Sequence, residues 1–299
     1  MNTISLLIPH KNSAALLRRL IQSCLQVKMQ IIVVDDGSCD EEYKLVEEMR
    51  DEYSFELYKN EGIYAGGARN TALKYAKGEW IVFADADDYF TPLVADLFKK
   101  HKDSDADIVY FNITSAISDT GEKAYRDEHI KSIAQKYLDS NDENYLRCCY
   151  TAPWGKLYKR RLIKDNNIVF DEVIAANDMM FSVKCGLAAT KIAYDENELY
   201  CNTVSKGSIT TTVSKDRFES KLNVTLRVND LLRQYGKGKY QVSVLYFIGK
   251  SSQFSINYTL HVLTECIKHR SNFFIGIKKL IHYKRVLRDR QNSAYTINK

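Results

Sequence analysis

The first half of the chain alternates short apolar runs with amphipathic segments, and this alternation restricts its fold more than any other feature. Five apolar runs have the length and composition of buried strands, at residues 4–8, 30–34, 55–58, 80–83 and 108–113. The segments between them have helical periodicity, with apolar residues on one stripe. Strands that alternate with helices favour right-handed crossovers. We therefore predict an α/β fold with a mostly parallel sheet flanked by helices.

The pattern changes in the second half of the chain. Residues 115–144 are polar and are predicted to form an excursion from the sheet. A helix is predicted at residues 178–188 and a strand at residues 192–201. Residues 216–299 have mainly helical periodicity. We place a domain boundary near residue 215, which gives a sheet domain at 1–215 and a helical C-terminal region at 216–299.

Composition indicates a globular protein and excludes several other classes. The 299 residues are 45% hydrophobic and 27% charged, with only 13 Gly and 3 Pro, which excludes a disordered or collagen-like chain. The seven cysteines contain no C-x-x-C pair, so we expect reduced thiols and a cytoplasmic protein. The first apolar run is too short for a signal peptide. No apolar stretch reaches the length of about 18 residues that a membrane-spanning helix needs.

Positive charge is concentrated at the C-terminal end. The whole chain carries a formal charge of +5, but residues 268–299 contain nine basic residues and a single acidic one. Apolar residues recur among them at near-helical spacing, which indicates a basic amphipathic helix. Two interpretations remain open: the segment binds an anionic membrane surface, or it packs on the body with a solvated basic face. No nucleic-acid motif accompanies the charge, so we expect no nucleic-acid partner.

Acidic residues follow two of the predicted strands. Asp35 and Asp36 come after the second strand, and Asp85, Asp87 and Asp88 come after the fourth. The carboxyl ends of parallel strands form the edge of the sheet where ligands bind. Three carboxylates in four residues repel one another unless a cation separates them, and Mg²⁺ or Mn²⁺ prefers such oxygen ligands. A solvated turn that caps the next helix is the alternative for either motif taken alone.

A glycine-containing segment precedes the third predicted helix. In residues 60–70, Gly67 allows close approach of backbone amides to a phosphate, and Arg69 adds a cation. The alternative is a loop whose glycines only pack against neighbouring elements. The spacing matches neither a G-x-G-x-x-G fingerprint nor a Walker loop, which disfavours a dinucleotide oxidoreductase.

Together and in this order, these motifs resemble those of the family-2 inverting glycosyltransferases, which have the GT-A fold. The matching stretches are residues 5–9 with Asn12, 33–38, 60–70, 83–88, 152–158, 170–172, 177–181 and 207–210. The resemblance implies a Rossmann-like GT-A domain in an enzyme of bacterial surface-polysaccharide synthesis. Its substrates would be a nucleotide-sugar, which the resemblance implies is a UDP-sugar, and a glycan or lipid-linked acceptor. The enzyme would then lie in the cytoplasm, peripheral at the inner face of the membrane.

The resemblance also assigns roles to individual residues. Asp178 would be the general base, and Asp85 and Asp87 would hold the metal on the diphosphate. The residues implied in nucleotide binding are Pro9, Lys11, Asp35, Asp36, Gly67, Arg69 and Asp85, and those implied in the acceptor or donor pocket are Trp154 and Asn177. Two positions depart from the family pattern. Lys11 replaces a frequent aromatic residue, and Asn177 replaces the glutamate that usually precedes the base.

The residue types suit this chemistry. Inverting transfer is a displacement at the anomeric carbon, so one carboxylate must accept the proton of the attacking hydroxyl. A metal stabilises the charge of the departing diphosphate, and no covalent nucleophile is required. The alternative from another class is a nucleotide-sugar-binding protein without catalytic activity, which the departures at Lys11 and Asn177 allow.

Overall fold

The computed structural model describes residues 4–204 and 214–276. Its strands are β1 (Ile4–His10), β2 (Gln30–Asp35), β3 (Glu56–Lys59), β4 (Trp80–Phe83), β5 (Tyr89–Phe90), β6 (Ile108–Ile117), β7 (Lys156–Lys159) and β8 (Ile192–Val204). Its α-helices are α1 (Ala14–Gln22), α2 (Asp40–Tyr53), α3 (Tyr64–Tyr75), α4 (Val94–His101), α5 (Glu128–Ser140), α6 (Arg160–Asp165), α7 (Met179–Ala188), α8 (Lys215–Gln234), α9 (Leu245–Ser251) and α10 (Ile256–Lys268).

The strands form one eight-stranded sheet in the order β3-β2-β1-β4-β7-β6-β8-β5. Strands β3, β2, β1 and β4 are parallel, and so are β6 and β8. Strand β7 is antiparallel to both of its neighbours, and β5 is antiparallel to β8. The strand order therefore reverses between β1 and β4. In open α/β sheets a ligand cleft forms at such a reversal, outside the carboxyl ends of the strands.

Most predicted elements of the first half are confirmed. Helix α2 and strand β4 have the predicted bounds, and the other parallel strands differ by a few residues at their ends. The predicted polar excursion was wrong in part, because it contains helix α5, whose buried face consists of Ile130, Ile133 and Ala134. These three residues have helical spacing, but the surrounding polar residues concealed it. The short strand β5 was also missed, and β7 lies within residues 153–163, where the sequence predicts a turn and short elements.

An aromatic cluster joins the centre of the sheet to helix α7. The rings of Phe170 and Phe181 stack with centroids 3.8 Å apart, and both pack edge-on against Phe83 of β4. Aromatic pairs of this kind contribute both burial and specific geometry. Because Phe181 lies in the first turn of α7, the start of that helix is held against the carboxyl end of β4.

The helical C-terminal region packs directly on the sheet domain. Met180 and Val183 of α7 share a buried cluster with Val224, Val228 and Leu232 of α8. Helices α9 and α10 pack on the other end of α8 around Phe218. The proposed boundary lies at the first residue of α8, and the division into two domains stays a prediction. Across the described residues, the helices are too short or too polar to cross a bilayer.

The packing of α7 predicts the effect of one substitution. A β-carbon on Gly186 would lie 2.1 Å from the backbone oxygen of Arg147, which is part of a π-helical turn and has little room to move. We expect Gly186→Ala to lower the free energy of unfolding by about 1–3 kcal/mol through overpacking, as measured by urea denaturation. Gly238→Ala is the control, since its β-carbon would meet only the Cγ atom of Arg233, at 3.9 Å. Equal stability of the two variants would contradict this account of the packing.

Candidate active site

The turn after β2 is fixed by the buried carboxylate of Asp35. It accepts hydrogen bonds from the backbone N–H groups of Gly37 (3.1 Å) and Ser38 (3.0 Å) and from the Ser38 hydroxyl. His10 Nδ1 lies 3.2 Å from Asp35, and the N–H of Ser13 donates to His10 Nε2, which assigns the ring proton to Nδ1. Burial opposes ionisation of Asp35, but the bonds from Ser38 and His10 outweigh it and lower its pKa. Asp35 therefore serves the turn itself.

Asp36 faces the cleft edge instead. Its carboxylate accepts a hydrogen bond from Asn60 Nδ2 at 2.6 Å, which ties it to the segment that precedes α3. The ammonium of exposed Lys11 lies 4.0 Å from the position of a β-carbon on Gly37, so it borders the same edge. Pro9 is paired with β2 one residue before the end of β1. A carboxylate and an ammonium at this edge can contact the base or ribose of a nucleotide.

Arg69 connects two parts of the site that are far apart in sequence. This buried side chain donates from Nη2 to Asp85 Oδ1 at 2.5 Å and from Nη1 to Asn177 Oδ1 at 2.8 Å. Its guanidinium also lies over the ring of Phe170, 5.4 Å from the centroid. Gly67 is buried in the first turn of the same helix. Arg69 therefore holds the turn after β4 against the segment that leads into α7.

The acidic turn after β4 is anchored through its last carboxylate. Asp88 is fully buried and accepts hydrogen bonds from Tyr200 Oη (2.7 Å), Asn202 Nδ2 (3.0 Å) and the backbone N–H of Thr203 (2.6 Å). Burial and then the neighbouring carboxylates raise its pKa well above the ordinary value. The N–H of Asp85 donates to Tyr200 Oη at 2.9 Å, so one hydroxyl fixes both ends of the turn.

The remaining carboxylates of this turn suit a divalent cation. One oxygen each of Asp85, Asp87 and Asp88 lies within 4.8 Å of the other two. Although Asp87 is exposed, partial desolvation by nearby protein atoms, followed by repulsion from Asp85, raises its pKa. Carboxylate oxygens at this separation favour a hard cation such as Mg²⁺ or Mn²⁺. Because Asp88 is occupied by three donors, Asp85 and Asp87 are the residues that can hold it.

Asp178 lies at the N-terminus of α7, next to Asn177 and therefore next to Arg69. Desolvation raises the pKa of its carboxyl group, while the positive charges of Arg69 and Lys156 oppose that shift and the charge of Asp85 adds to it. Because Asn177 and Asp85 are both hydrogen-bonded to Arg69, Asp178 lies at the same edge of the sheet as the acidic turn. A carboxylate whose pKa is raised accepts a proton more readily than an ordinary surface aspartate.

Trp154 packs on Tyr200, the residue that anchors the acidic turn. Its ring stacks on Tyr200 with centroids 5.5 Å apart and an interplanar angle of 16°, and it meets Tyr150 edge-on. The side chain is half-buried, so part of the indole remains available beside the acidic turn. The predicted site residues therefore come together at one edge of the sheet, from β1, β2, α3, β4 and the segment before α7.

Sequence reasoning missed several residues that support this site. Asn60 and Asp88 were noted as parts of motifs without an individual role, and Tyr200 lies over a hundred residues from the turn it fixes. Lys156 is fully buried, with Nζ donating to the Tyr150 carbonyl at 2.6 Å. Burial lowers its pKa to about 7. The sequence signal for Lys156 was a lysine inside an aromatic strand.

A separate cavity of about 1060 Å³ lies at the opposite edge of the sheet, and no predicted site residue lines it. It is bordered by charged side chains, several of which pair with one another, as Lys159 does with Glu79. Parallel sheets bind ligands at the carboxyl ends of their strands, not at the amino ends where this cavity lies. Residues 207–210 and most of the basic segment lie outside the described residues.

Comparison with known proteins gives the same interpretation. Residues 5–166 match the family described as Glycosyl transferase family 2. EpsH of Bacillus subtilis (strain 168), named as a glycosyltransferase, is 28% identical over 254 residues, which cover 78% of this chain and 72% of EpsH. The poly(ribitol-phosphate) beta-N-acetylglucosaminyltransferase TarS of Staphylococcus aureus (strain Mu50 / ATCC 700699) is 29% identical over 210 residues, 67% of this chain but 35% of TarS.

Solved structures confirm the fold. A crystal structure of S. aureus TarS residues 1–349 in complex with UDP-GlcNAc superimposes with a TM-score of 0.67 at 22% identity, covering 90% of this chain and 81% of that one. A Pyrobaculum calidifontis mannosyltransferase in complex with GDP-Man and Mn²⁺ gives a TM-score of 0.51 at 15% identity, covering 95% and 80%. The predicted GT-A architecture is therefore confirmed. With its family match over more than half of its length, this chain belongs to glycosyl transferase family 2.

Proposed function

We propose that this protein transfers a sugar, with inversion, from a UDP-sugar to a hydroxyl group of a glycan or lipid-linked oligosaccharide. The observation that carries the proposal is the bridge that Arg69 makes between Asp85 and Asn177. Through it, the acidic turn and the segment that ends in Asp178 are held next to each other. This is the arrangement that a single displacement needs, with the leaving group held on one side and the base on the other.

Each residue of the cleft has a task in this reaction. Asp36 and Lys11 contact the nucleoside, and the positive charge of Arg69 lies beside the diphosphate. Asp85 and Asp87 would hold the divalent cation, which would stabilise the negative charge of the leaving diphosphate. Trp154 lines the sugar or acceptor pocket beside the turn.

Asp178 accepts the proton of the acceptor hydroxyl as the reaction proceeds. The acceptor oxygen forms its bond to the anomeric carbon while the bond from that carbon to the diphosphate oxygen breaks. The proton passes to Asp178, and the electron pair leaves with the nucleoside diphosphate. The raised pKa of Asp178 favours this transfer. Asn177, which is uncharged, leaves Arg69 with a single carboxylate partner at this point, so more of its positive charge acts on the cleft.

The relatives support the choice of substrates. TarS is named for transfer to poly(ribitol-phosphate) and was solved with UDP-GlcNAc, and a Bacillus spizizenii relative, 29% identical, is named as a poly(ribitol-phosphate) beta-glucosyltransferase. Both names describe sugar transfer to poly(ribitol-phosphate). We therefore propose surface-polysaccharide synthesis as the setting, with Mn²⁺ or Mg²⁺ as the cation.

Two variants test the roles of the carboxylates. With a panel of nucleotide-sugars and Mn²⁺, we expect Asp178→Asn to slow release of the nucleoside diphosphate by about 100-fold or more, because the general base is lost. Its affinity for UDP with Mn²⁺ should stay at the wild-type value, as measured by calorimetry. Asp87→Ala should lose the Mn²⁺-dependent part of that affinity, because a metal ligand is removed.

The matched control is Asp103→Asn, an exposed carboxylate at the other edge of the sheet. It should leave both measurements unchanged. Wild-type turnover in Asp178→Asn would contradict the assignment of the base. Binding of UDP with Mn²⁺ without turnover of any donor by the wild type would instead favour the alternative of a non-catalytic nucleotide-sugar-binding protein.

We further propose that the basic C-terminal segment attaches the enzyme to the inner face of the membrane. Its first part packs on the body, since Arg233 donates to the backbone oxygen of His269 at 2.7 Å and Phe273 contacts the cluster around Phe218. The chain beyond Gly276 still carries seven basic residues and one acidic one. Basic segments bind anionic lipid surfaces, where lipid-linked acceptors lie.

Truncation after Gly276 tests the attachment. We expect the full chain to sediment with vesicles that contain phosphatidylglycerol and to be released by added salt, since the attraction is electrostatic. The truncated protein should stay in the supernatant while it still binds UDP with Mn²⁺. Unchanged sedimentation after truncation would remove the membrane proposal and leave the transferase proposal intact.

A further inference from the structure

The segment that carries Asp178 into the cleft has a backbone conformation that needs external support. Residues 171–178 connect Phe170 to the start of α7. Within this segment Ala176 has a φ of 62°, in the left-handed region that residues with a side chain rarely adopt. Such conformations persist when surrounding contacts determine them, and they concentrate at functional sites. The position of Asp178, two residues later, therefore depends on what holds this segment.

One side of the segment is held by α3 and the loop before it. Asn70 donates to the backbone oxygen of Phe170 at 3.0 Å and accepts from its N–H at 2.8 Å. Glu172 accepts from the N–H of Ile63 at 3.0 Å. A β-carbon on Gly66 would lie 2.1 Å from the backbone oxygen of Asp171, so the two backbones touch. These contacts fix the beginning of the segment.

The other side is held by helix α8. Arg227 Nη2 donates to both carboxylate oxygens of Asp171, at 2.9 and 2.8 Å. Ser220 Oγ donates to the backbone oxygen of Ala175 at 2.8 Å, and the N–H of Ala175 lies 3.3 Å from the same hydroxyl. Arg227 thus holds the segment near its beginning, and Ser220 holds it directly before Ala176, the residue with the left-handed conformation.

Ser220 and Arg227 lie on one face of α8. They are seven residues apart, which is about two helical turns. Val224 lies between them on this face and belongs to the buried cluster with Met180 and Val183 of α7. The same face of α8 therefore packs on α7 and hydrogen-bonds the segment before it, so helix and segment are held as a unit.

We propose that Ser220 and Arg227 are positioning residues for the general base, an inference that rests on the proposed function. The groups assigned to the donor lie on β1, β2, α3 and the turn after β4, and none of them contacts these two side chains in the hydrogen bonds described above. Of the segment held by α8, Asp178 is the residue assigned to the proton transfer, and Asn177 connects the segment to the donor side through its hydrogen bond with Arg69. The helical C-terminal region therefore contributes to catalysis, because α8 sets the position of the Asp178 carboxylate that accepts the proton.

If Ser220 and Arg227 position only the base, their substitution should lower the turnover rate without weakening donor binding. Displacement of a reacting group by about 1 Å can slow a reaction by two orders of magnitude. We expect Ser220→Ala and Arg227→Gln each to lower kcat about tenfold or more, and the double variant to lower it further. The affinity for UDP with Mn²⁺ should change by less than about twofold. Hydrogen exchange of peptides covering residues 171–178 should become faster.

Conservative variants and a control complete the design. Ser220→Thr keeps the hydroxyl and should restore most of the turnover, whereas Arg227→Lys keeps the charge on a shorter side chain and should restore only part. Asn223→Ala, an exposed change on the same helix, should leave all readouts unchanged. Circular dichroism establishes that each variant is folded, and Ser220→Ala is small enough to test the proposal alone.

The outcomes are distinguishable. Wild-type kcat in the folded double variant would overturn this inference while the proposed function stands. A parallel loss of UDP affinity would also overturn it, because α8 would then support the whole cleft. If the wild type turns over no donor, the proposed function fails and the positioning role fails with it. Slower turnover with intact UDP affinity and faster local exchange is the result that supports it.

Discussion

The site depends on one buried guanidinium. Arg69 is removed from water and is stable there because Asp85 and Asn177 accept its hydrogen bonds and the ring of Phe170 faces it. A buried charge that loses such partners is strongly destabilising, so this contact fixes the relative position of its neighbours. Arg69 belongs to α3, and Asn60 in the segment before α3 donates to Asp36. The region around α3 is therefore connected to the nucleoside edge as well. The distance from the nucleoside edge to the base is thus set by the placement of α3 on the sheet.

A division of labour within each acidic motif follows from burial. After β2, Asp35 is buried and fixes its turn, while Asp36 beside it faces the cleft edge. After β4, Asp88 is buried and bound by three donors, while Asp87 remains exposed. One carboxylate of each motif holds the backbone so that its neighbour is presented in a defined place. Preorganised charge of this kind needs no rearrangement when the reaction begins.

The parallel strands and the position of the acidic residues could be predicted from the sequence. The roles of individual carboxylates could not, for physical reasons. Continuous apolar runs marked the buried parallel strands, and acidic residues at their ends marked the cleft, because both signals are local. The roles of Asp35 and Asp88 could not be separated from those of their neighbours, since burial depends on Tyr200 and other distant residues. The dependence of the base on α8 was equally hidden, because a serine and an arginine at helical spacing have no distinctive pattern.

We propose that carboxylates from separate strand ends hold a metal-bound nucleotide in one cleft. A crystal structure of the protein soaked with UDP and Mn²⁺, with data collected near the manganese absorption edge, tests it most directly. We predict an anomalous peak between Asp85 and Asp87, with the uracil beside Asp36 and the side chain of Asp178 across the cleft. A manganese peak away from both carboxylates, or nucleotide density in the cavity at the opposite edge of the sheet, would contradict the account.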